Sequence, residues 1–209
     1  MTYENYNRLK KEGVFVGIDE VGRGPLAGPV TVCAVLAAKR LLTLSFFPKI
    51  KDSKQLNPQK RRKIFENLNI LRKRGEILFS ISSVGVRVID RVGINRAIRI
   101  AVARCLSKIS LAPSEVTILL DGGLRAPKKY LFQETITGGD EKEALIALAS
   151  IVGKVLRDEK MERLAQRVPW YGFDKHKGYG TEEHRRLLRR YGISSFHRKK
   201  FVRKIFRHS

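Results

Sequence analysis

The stretch GIDEVGRGPLAGPV, residues 17–30, places two adjacent acids, Asp19 and Glu20, directly after an apolar run. An arginine flanked by Gly22 and Gly24 follows them. Asp121 ends a second apolar run in ILLDGG, and Asp140 opens GGDEKEALIALAS. An acid at the end of a buried strand leaves the core for the crevice where α/β proteins build their sites. Glycines beside it let the backbone approach a ligand with its N–H groups free. Each acid also has a plain structural reading. Asp19 and Glu20 can begin a turn, and Asp121 can initiate the one at Gly122-Gly123. Asp140, with Glu143 three residues on, fits a helix N-cap with a capping-box partner. Asp158 in KVLRDE is a rival fourth acid, but along a continuous helix it would lie about 27 Å from Asp140. It follows Lys154 at i,i+4 spacing, which suits an ion pair instead. The repetition is what stands out: two apolar runs end in an acid, in a chain with 43 Lys+Arg against 20 Asp+Glu.

The elements that must present these acids are legible from hydrophobic period. VFVGI (14–18), PVTVCAVLAA (29–38), EILFSISSVG (76–85) and VTILLDG (116–122) read as strands, with YLFQETIT (130–137) as a fifth. The run at 116–122 suggests burial on both faces. Helical patterns fill 57–74, with Asn57 as N-cap and Pro58 at the first position, then 90–110 and 141–166. Two basic helices, near 181–191 and 195–207, follow the loop PWYGFDKHKGYG. Strands first, then mixed strands and helices, indicate one α/β domain with a helical C-terminal end.

The net charge of +23 points to a polyanionic partner, nucleic acid above all. The longest apolar run, VTVCAVLAA, is too short to cross a bilayer, and the first residues lack the apolar core of a secretion signal. Cys33 and Cys105, both among apolar neighbours, read as reduced core residues. The expectation is a cytoplasmic protein without disulfides.

Taken together the motifs resemble the ribonuclease HII family, the type 2 ribonucleases H, from about Val14 to Phe201. GIDEVGRGPLAGPV is joined, in the family's order, by DSKQL (52–56), GINRA (93–97), LLDG (119–122), GGD (138–140), ASIVGKVLRD (149–158), YGFDKHKGYGT (171–181) and HRKKF (197–201). The resemblance implies a ribonuclease H-like α/β fold, a central mixed sheet flanked by helices. It divides one catalytic domain, 1–209, into a core of about 14–166 and a basic, helical substrate-binding region of about 167–209. It implies an endonuclease that cleaves RNA in RNA/DNA hybrids and incises at single ribonucleotides in duplex DNA, leaving 3′-hydroxyl and 5′-phosphate ends. The family's four metal-binding, catalytic acids match Asp19, Glu20, Asp121 and Asp140, which would take two Mg²⁺ or Mn²⁺ ions. The substrate-binding set matches Gly22, Arg23, Gly24, Lys54, Ser150, Lys154 and Tyr179, the last being the junction-sensing tyrosine.

Hard divalent ions take oxygen ligands, and two of them can activate a water and stabilise a leaving oxygen, so histidine and thiolate are not needed. The acids would collect cations locally while the basic surface holds the polyanion. Tyr179 has the hydroxyl and aromatic face that reading a ribose and stacking on its neighbour require, although a packing role between helices suits it too. His176, His184 and His197 sit among Lys and Arg and read as structural or phosphate-contacting. Three departures from the family pattern are visible. Gly153 replaces a usual alanine, at about 1 kcal/mol in a helix interior. Lys199 and Lys200 occupy a region where serine is common. The related ribonuclease HIII group has an extra N-terminal domain, and the short stretch before the first strand argues against that assignment. The competing readings are a non-catalytic nucleic-acid-binding protein of the same fold and another nuclease of the ribonuclease H-like superfamily. A monomer with no obligatory protein partner is expected.

Overall fold

The computed structural model describes residues 14–38, 56–109 and 112–206. Of the expected site residues, Lys54 lies outside them. Strands β1 (Val14–Val21) and β2 (Val30–Ala38) precede helix α1 (Pro58–Lys73) and β3 (Ile77–Val84). Helices α2 (Val86–Val92) and α3 (Ile94–Ile109), β4 (Val116–Asp121) and β5 (Gln133–Ile136) follow. The rest is helical: α4 (Gly139–Lys142), α5 (Ala144–Arg167), α6 (Phe173–His176), α7 (Glu182–Tyr191) and α8 (Lys199–Phe206).

The sheet is mixed, in the order β3-β2-β1-β4-β5. β1 runs antiparallel to β2 and parallel to β4, which in turn pairs parallel with β5. Because side chains alternate along a strand, each central strand feeds two cores. Val16, Ile18, Val32, Ala34, Ile118 and Leu120 pack against α3, while Cys33, Val35 and Ala37 pack against α1 and α5. Both cysteines are free and buried. Gly17 lets α5 pack tightly on β1, since a Cβ there would overlap the backbone and Cβ of Leu145. A third apolar cluster joins Leu26 and Ala27, just after β1, to Met161, Phe173, Leu188 and Val202 of the helical end.

Several boundaries differ from expectation for local reasons. The 90–110 pattern breaks at Gly93 (φ 82°), and the 141–166 pattern breaks at Glu143, whose extended backbone (φ −115°, ψ 118°) separates α4 from α5. Asp140 therefore does not cap a long helix. Gly138 precedes α4 in the left-handed region, and Glu143 makes no side-chain capping bond. The last helix begins at Lys199, not near 195, because Phe196 and Arg198 are tied by backbone bonds to Gly28 and Leu26. Asn57 caps α1 as expected, its side chain accepting from the Lys60 N–H at 2.8 Å.

Candidate active site

Register brings the first acids together. Ile18 pairs with Leu120 across the parallel β1–β4 ladder, so Asp19 and Asp121 leave neighbouring strands side by side, about 5 Å apart along the sheet. Ile136 pairs with Asp121, and the turn at Gly138 then folds the chain back. The Gly139 N–H donates to Asp121 Oδ1 at 2.7 Å, which sets Asp140 next to Asp121. Asp19, Glu20, Asp121 and Asp140 all line one open cavity of about 380 Å³, together with Gly22, Arg23, Gly24, Ser150, Lys154 and Tyr179.

Burial of the carboxylates shows in their proton affinity. Burial, with the charges of Glu20 and Asp121 adding to it, pushes the Asp19 carboxyl up to about 8, against a hydrogen bond from Ser150. Burial also raises Glu20, opposed by Arg23, which meets its Oε1 at 3.2 Å. Asp19 Oδ1 accepts the Glu20 N–H at 2.6 Å. Among the described residues no three His, Cys, Asp or Glu groups converge on a single metal position. The carboxylates offer oxygen donors alone, and among the described residues no thiol or imidazole lines the cavity.

The turn after β1 rests on two buried arginines. Arg198 is fully buried and donates from Nε to Gly28 C=O (3.0 Å), from Nη1 to Arg23 C=O (2.9 Å) and from Nη2 to Gly22 C=O (2.7 Å). Arg157, equally buried, donates to Pro29 C=O (3.2 Å) and Lys177 C=O (3.1 Å). Gly22 has φ 86°, and a Cβ there would overlap the Arg157 side chain, so only glycine fits. Burial lowers the basicity of both guanidiniums, that of Arg198 to about 9, with the Arg157 charge adding to the effect.

Tyr179 is 41% exposed, which sets aside a purely packing role, and its ring centroid lies 5.9 Å from Lys154 Nζ and 5.7 Å from Arg157 Cζ. Its loop is held by histidines whose tautomers follow from their partners. His176 Nδ1 accepts the Gly178 N–H (3.2 Å), so its Nε2–H donates to Tyr171 C=O (2.8 Å). His184 Nδ1–H donates to Tyr179 C=O (2.8 Å), which leaves its Nε2 to accept from His197 Nε2–H (3.0 Å). His197 Nδ1 accepts the Ser194 N–H (3.1 Å). Burial holds all three below the usual imidazole range, His184 at about 4 and His197 at about 3. They are structural.

The expected ion pair between Lys154 and Asp158 forms at 2.9 Å, and Asp158 does not line the cavity. Arg61, near the start of α1, does line it. Arg157 and Arg198 were not singled out in the sequence. A usable signal existed for Arg157, because Gly153, Arg157, Met161 and Ala165 recur every four residues on one buried face of α5. At Gly153 a Cβ would lie 3.2 Å from Val21 Cγ2 and 3.4 Å from Cys33 Cβ, so close packing on the sheet accounts for glycine there. Lys199 and Lys200 keep exposed side chains, and their N–H groups donate to Asp90 at 3.1 and 3.3 Å, whatever the side chain.

The profile of the family described as Ribonuclease HII matches residues 16–208. The ribonuclease HII of Caldicellulosiruptor saccharolyticus is 39% identical over 98% of this chain and 97% of its own. Among solved structures, a chain of the PCNA:RNase HII complex from Archaeoglobus fulgidus superposes with a TM-score of 0.68 at 25% identity, covering 88% of this chain and 93% of that one. Bst-RNase HIII in complex with Mn²⁺ shares the fold, with a TM-score of 0.67 at 19% identity over 95% of this chain and 71% of that one.

Proposed function

Because this chain belongs to the ribonuclease HII family and is therefore a ribonuclease H, a nucleic-acid endonuclease, we propose that it cleaves RNA in RNA/DNA hybrids and incises at single ribonucleotides in duplex DNA. The observation that carries this reading is the shared cavity: four carboxylates from three separate segments face the Gly22–Gly24 turn and Tyr179. A non-catalytic binding protein has no use for four carboxylates in one cavity of a basic chain, one of them buried until it is pushed up to about 8. They would repel the phosphate that the surrounding lysines and arginines attract.

Asp19, Glu20, Asp121 and Asp140 have the oxygen chemistry to hold two divalent ions such as Mg²⁺ or Mn²⁺. Bound there, such ions would lower the pKa of an attacking water and stabilise the leaving oxygen of an in-line displacement, giving 3′-hydroxyl and 5′-phosphate ends. The remaining residues bind and orient. Arg23, Arg61 and Lys154 line the cavity as cations for the phosphates flanking the scissile bond. Lys54, outside the described residues, belongs to the same substrate-binding set. The Ser150 hydroxyl holds Asp19. The turn and the Tyr179 hydroxyl read the 2′-hydroxyl that distinguishes ribose, and the ring offers a face for the next nucleotide. Residues 167–209 extend the cationic surface as a substrate-binding region, and the chain acts as a monomer.

The test compares a duplex with one embedded ribonucleotide, an RNA/DNA hybrid and an all-DNA duplex, each with and without Mg²⁺ or Mn²⁺. Metal-dependent cutting of the first two only is expected. Asp19→Asn should lose about 10²–10³-fold in kcat, the range of losses for groups that stabilise developing charge, while duplex affinity stays near wild type. Wild-type turnover by Asp19→Asn at saturating Mg²⁺ would refute the metal assignment.

A further inference from the structure

We infer that Arg198 is a positioning residue whose buried guanidinium aims the peptide N–H groups of Arg23 and Gly24 at the substrate ribose and phosphate. The inference rests on the reading of the Gly22–Gly24 turn as a substrate sensor and adds what makes that turn competent. In a trans peptide the C=O and the following N–H point in opposite directions, and no peptide among the described residues is cis. Arg198 draws the carbonyls of Gly22 and Arg23 inward, onto Nη2 at 2.7 Å and Nη1 at 2.9 Å. The N–H groups of Arg23 and Gly24, the other ends of those two peptides, must then face outward. Both residues are exposed and line the acidic cavity. Among the described residues neither N–H donates to a protein acceptor.

Two consecutive outward N–H groups form a concave donor pair for an anion or a hydroxyl oxygen. The positive charge behind their carbonyls polarises both peptides in the direction that strengthens donation. The fork of Arg198 is needed for this, because three carbonyls in different directions, including Gly28 C=O at 3.0 Å, are held by one rigid plane. A lysine presents a single point charge and cannot span them. Stability alone does not explain the residue. Arg198 is buried beside a second guanidinium, Arg157, with no carboxylate among its hydrogen-bond acceptors, an arrangement in which desolvation outweighs attraction. Arg198 is also next to His197, which holds the Tyr179 carbonyl through His184, so one short segment fixes both sides of the sensor.

The experiment uses the full chain and its Arg198→Lys and Arg198→Ala variants. Steady-state incision of a duplex with one ribonucleotide is measured beside affinity for an all-DNA duplex of the same length and the melting temperature. Arg198→Lys should lose at least tenfold in kcat/KM while all-DNA affinity changes by less than threefold, and added methylguanidinium should restore part of the activity of Arg198→Ala. If the variants do not fold, ¹⁵N-labelled Asp121→Asn protein supplies the readout. The Arg23 and Gly24 amide signals should shift with the ribonucleotide duplex and far less with the all-DNA duplex. Wild-type kcat/KM in Arg198→Lys, a loss matched by an equal loss of all-DNA affinity, no rescue, or equal amide shifts with both duplexes would overturn the role of Arg198. Failure of the wild-type protein to cut at the ribonucleotide would instead remove the functional reading beneath it.

Discussion

The Tyr179 side chain does two separable things in the proposed site, and substitution can divide them. Its ring is half-exposed, flanked by Lys154 and Arg157, and lines the cavity that holds the acids. Its phenol oxygen makes no hydrogen bond to a described residue. Tyr179→Phe keeps the stacking face and removes only the hydroxyl, so incision at a lone ribonucleotide should fall by about tenfold, near the value of one hydrogen bond at about 1.4 kcal/mol. Tyr179→Ala should lose a further factor corresponding to about 1–3 kcal/mol of base stacking. Gel quantification of single-turnover incision separates the two steps, and equal rates for wild type, Phe and Ala would take Tyr179 out of the site.

The loop that carries Tyr179 owes its order to a chain of neutral histidines linking α6, α7 and the segment before α8. The folded state favours the neutral form, whereas the unfolded chain takes up protons below its ordinary imidazole value of 6.5. Stability from His184 and His197 is therefore complete above about pH 6.5 and drains as pH falls toward about 4 and 3. The loss is up to about 1.4 kcal/mol per pH unit for each histidine. Asp174 and Glu183 face His176 and partly offset its desolvation, and no carboxylate lies among the groups that shift His184 and His197. Melting temperatures recorded from pH 8 to 5 should fall on the acid side, and His197→Gln should flatten that slope. Parallel curves for the two proteins would show that His197 takes up protons in the fold as readily as in the unfolded chain. At this scale the sequence reading succeeded wherever one period governed one element, as for β2, β3 and α1, whereas β1 runs past its expected end at Ile18, through Asp19 and Glu20, to Val21. It failed at Gly93 and Glu143, where helical composition continues across a local backbone break, a positive φ at Gly93 and an extended residue at Glu143.

Across the whole molecule, charge is divided by sign: an excess of 23 cations over the chain, against a pit of carboxylates beside the sheet's central strand. Duplex binding should accordingly be dominated by counterion release. A footprint of several phosphates predicts a loss of at least about tenfold between roughly 50 and 200 mM salt, readable by anisotropy on labelled duplex, and a flat response would contradict it. Among the described residues no helix is long and apolar enough to cross a membrane. The acids at strand ends, the glycine–arginine–glycine turn and the tyrosine loop were legible in the sequence, because each depends on residue types in a short window. The family followed from the order of those windows. What the sequence left open was which of several readings each acid takes. Asp140 passes equally for a helix cap, and only the parallel pairing of β4 with β5 and the turn at Gly138 set it beside Asp121. Arg198 was hidden for the same reason, and Arg157 showed only in its place on a buried stripe of α5. A guanidinium in a chain rich in Lys and Arg reads as a solvated surface charge, and only the packed fold, in which the carbonyls of residues 22, 23, 28, 29 and 177 surround the pair, makes burial of such charges tolerable.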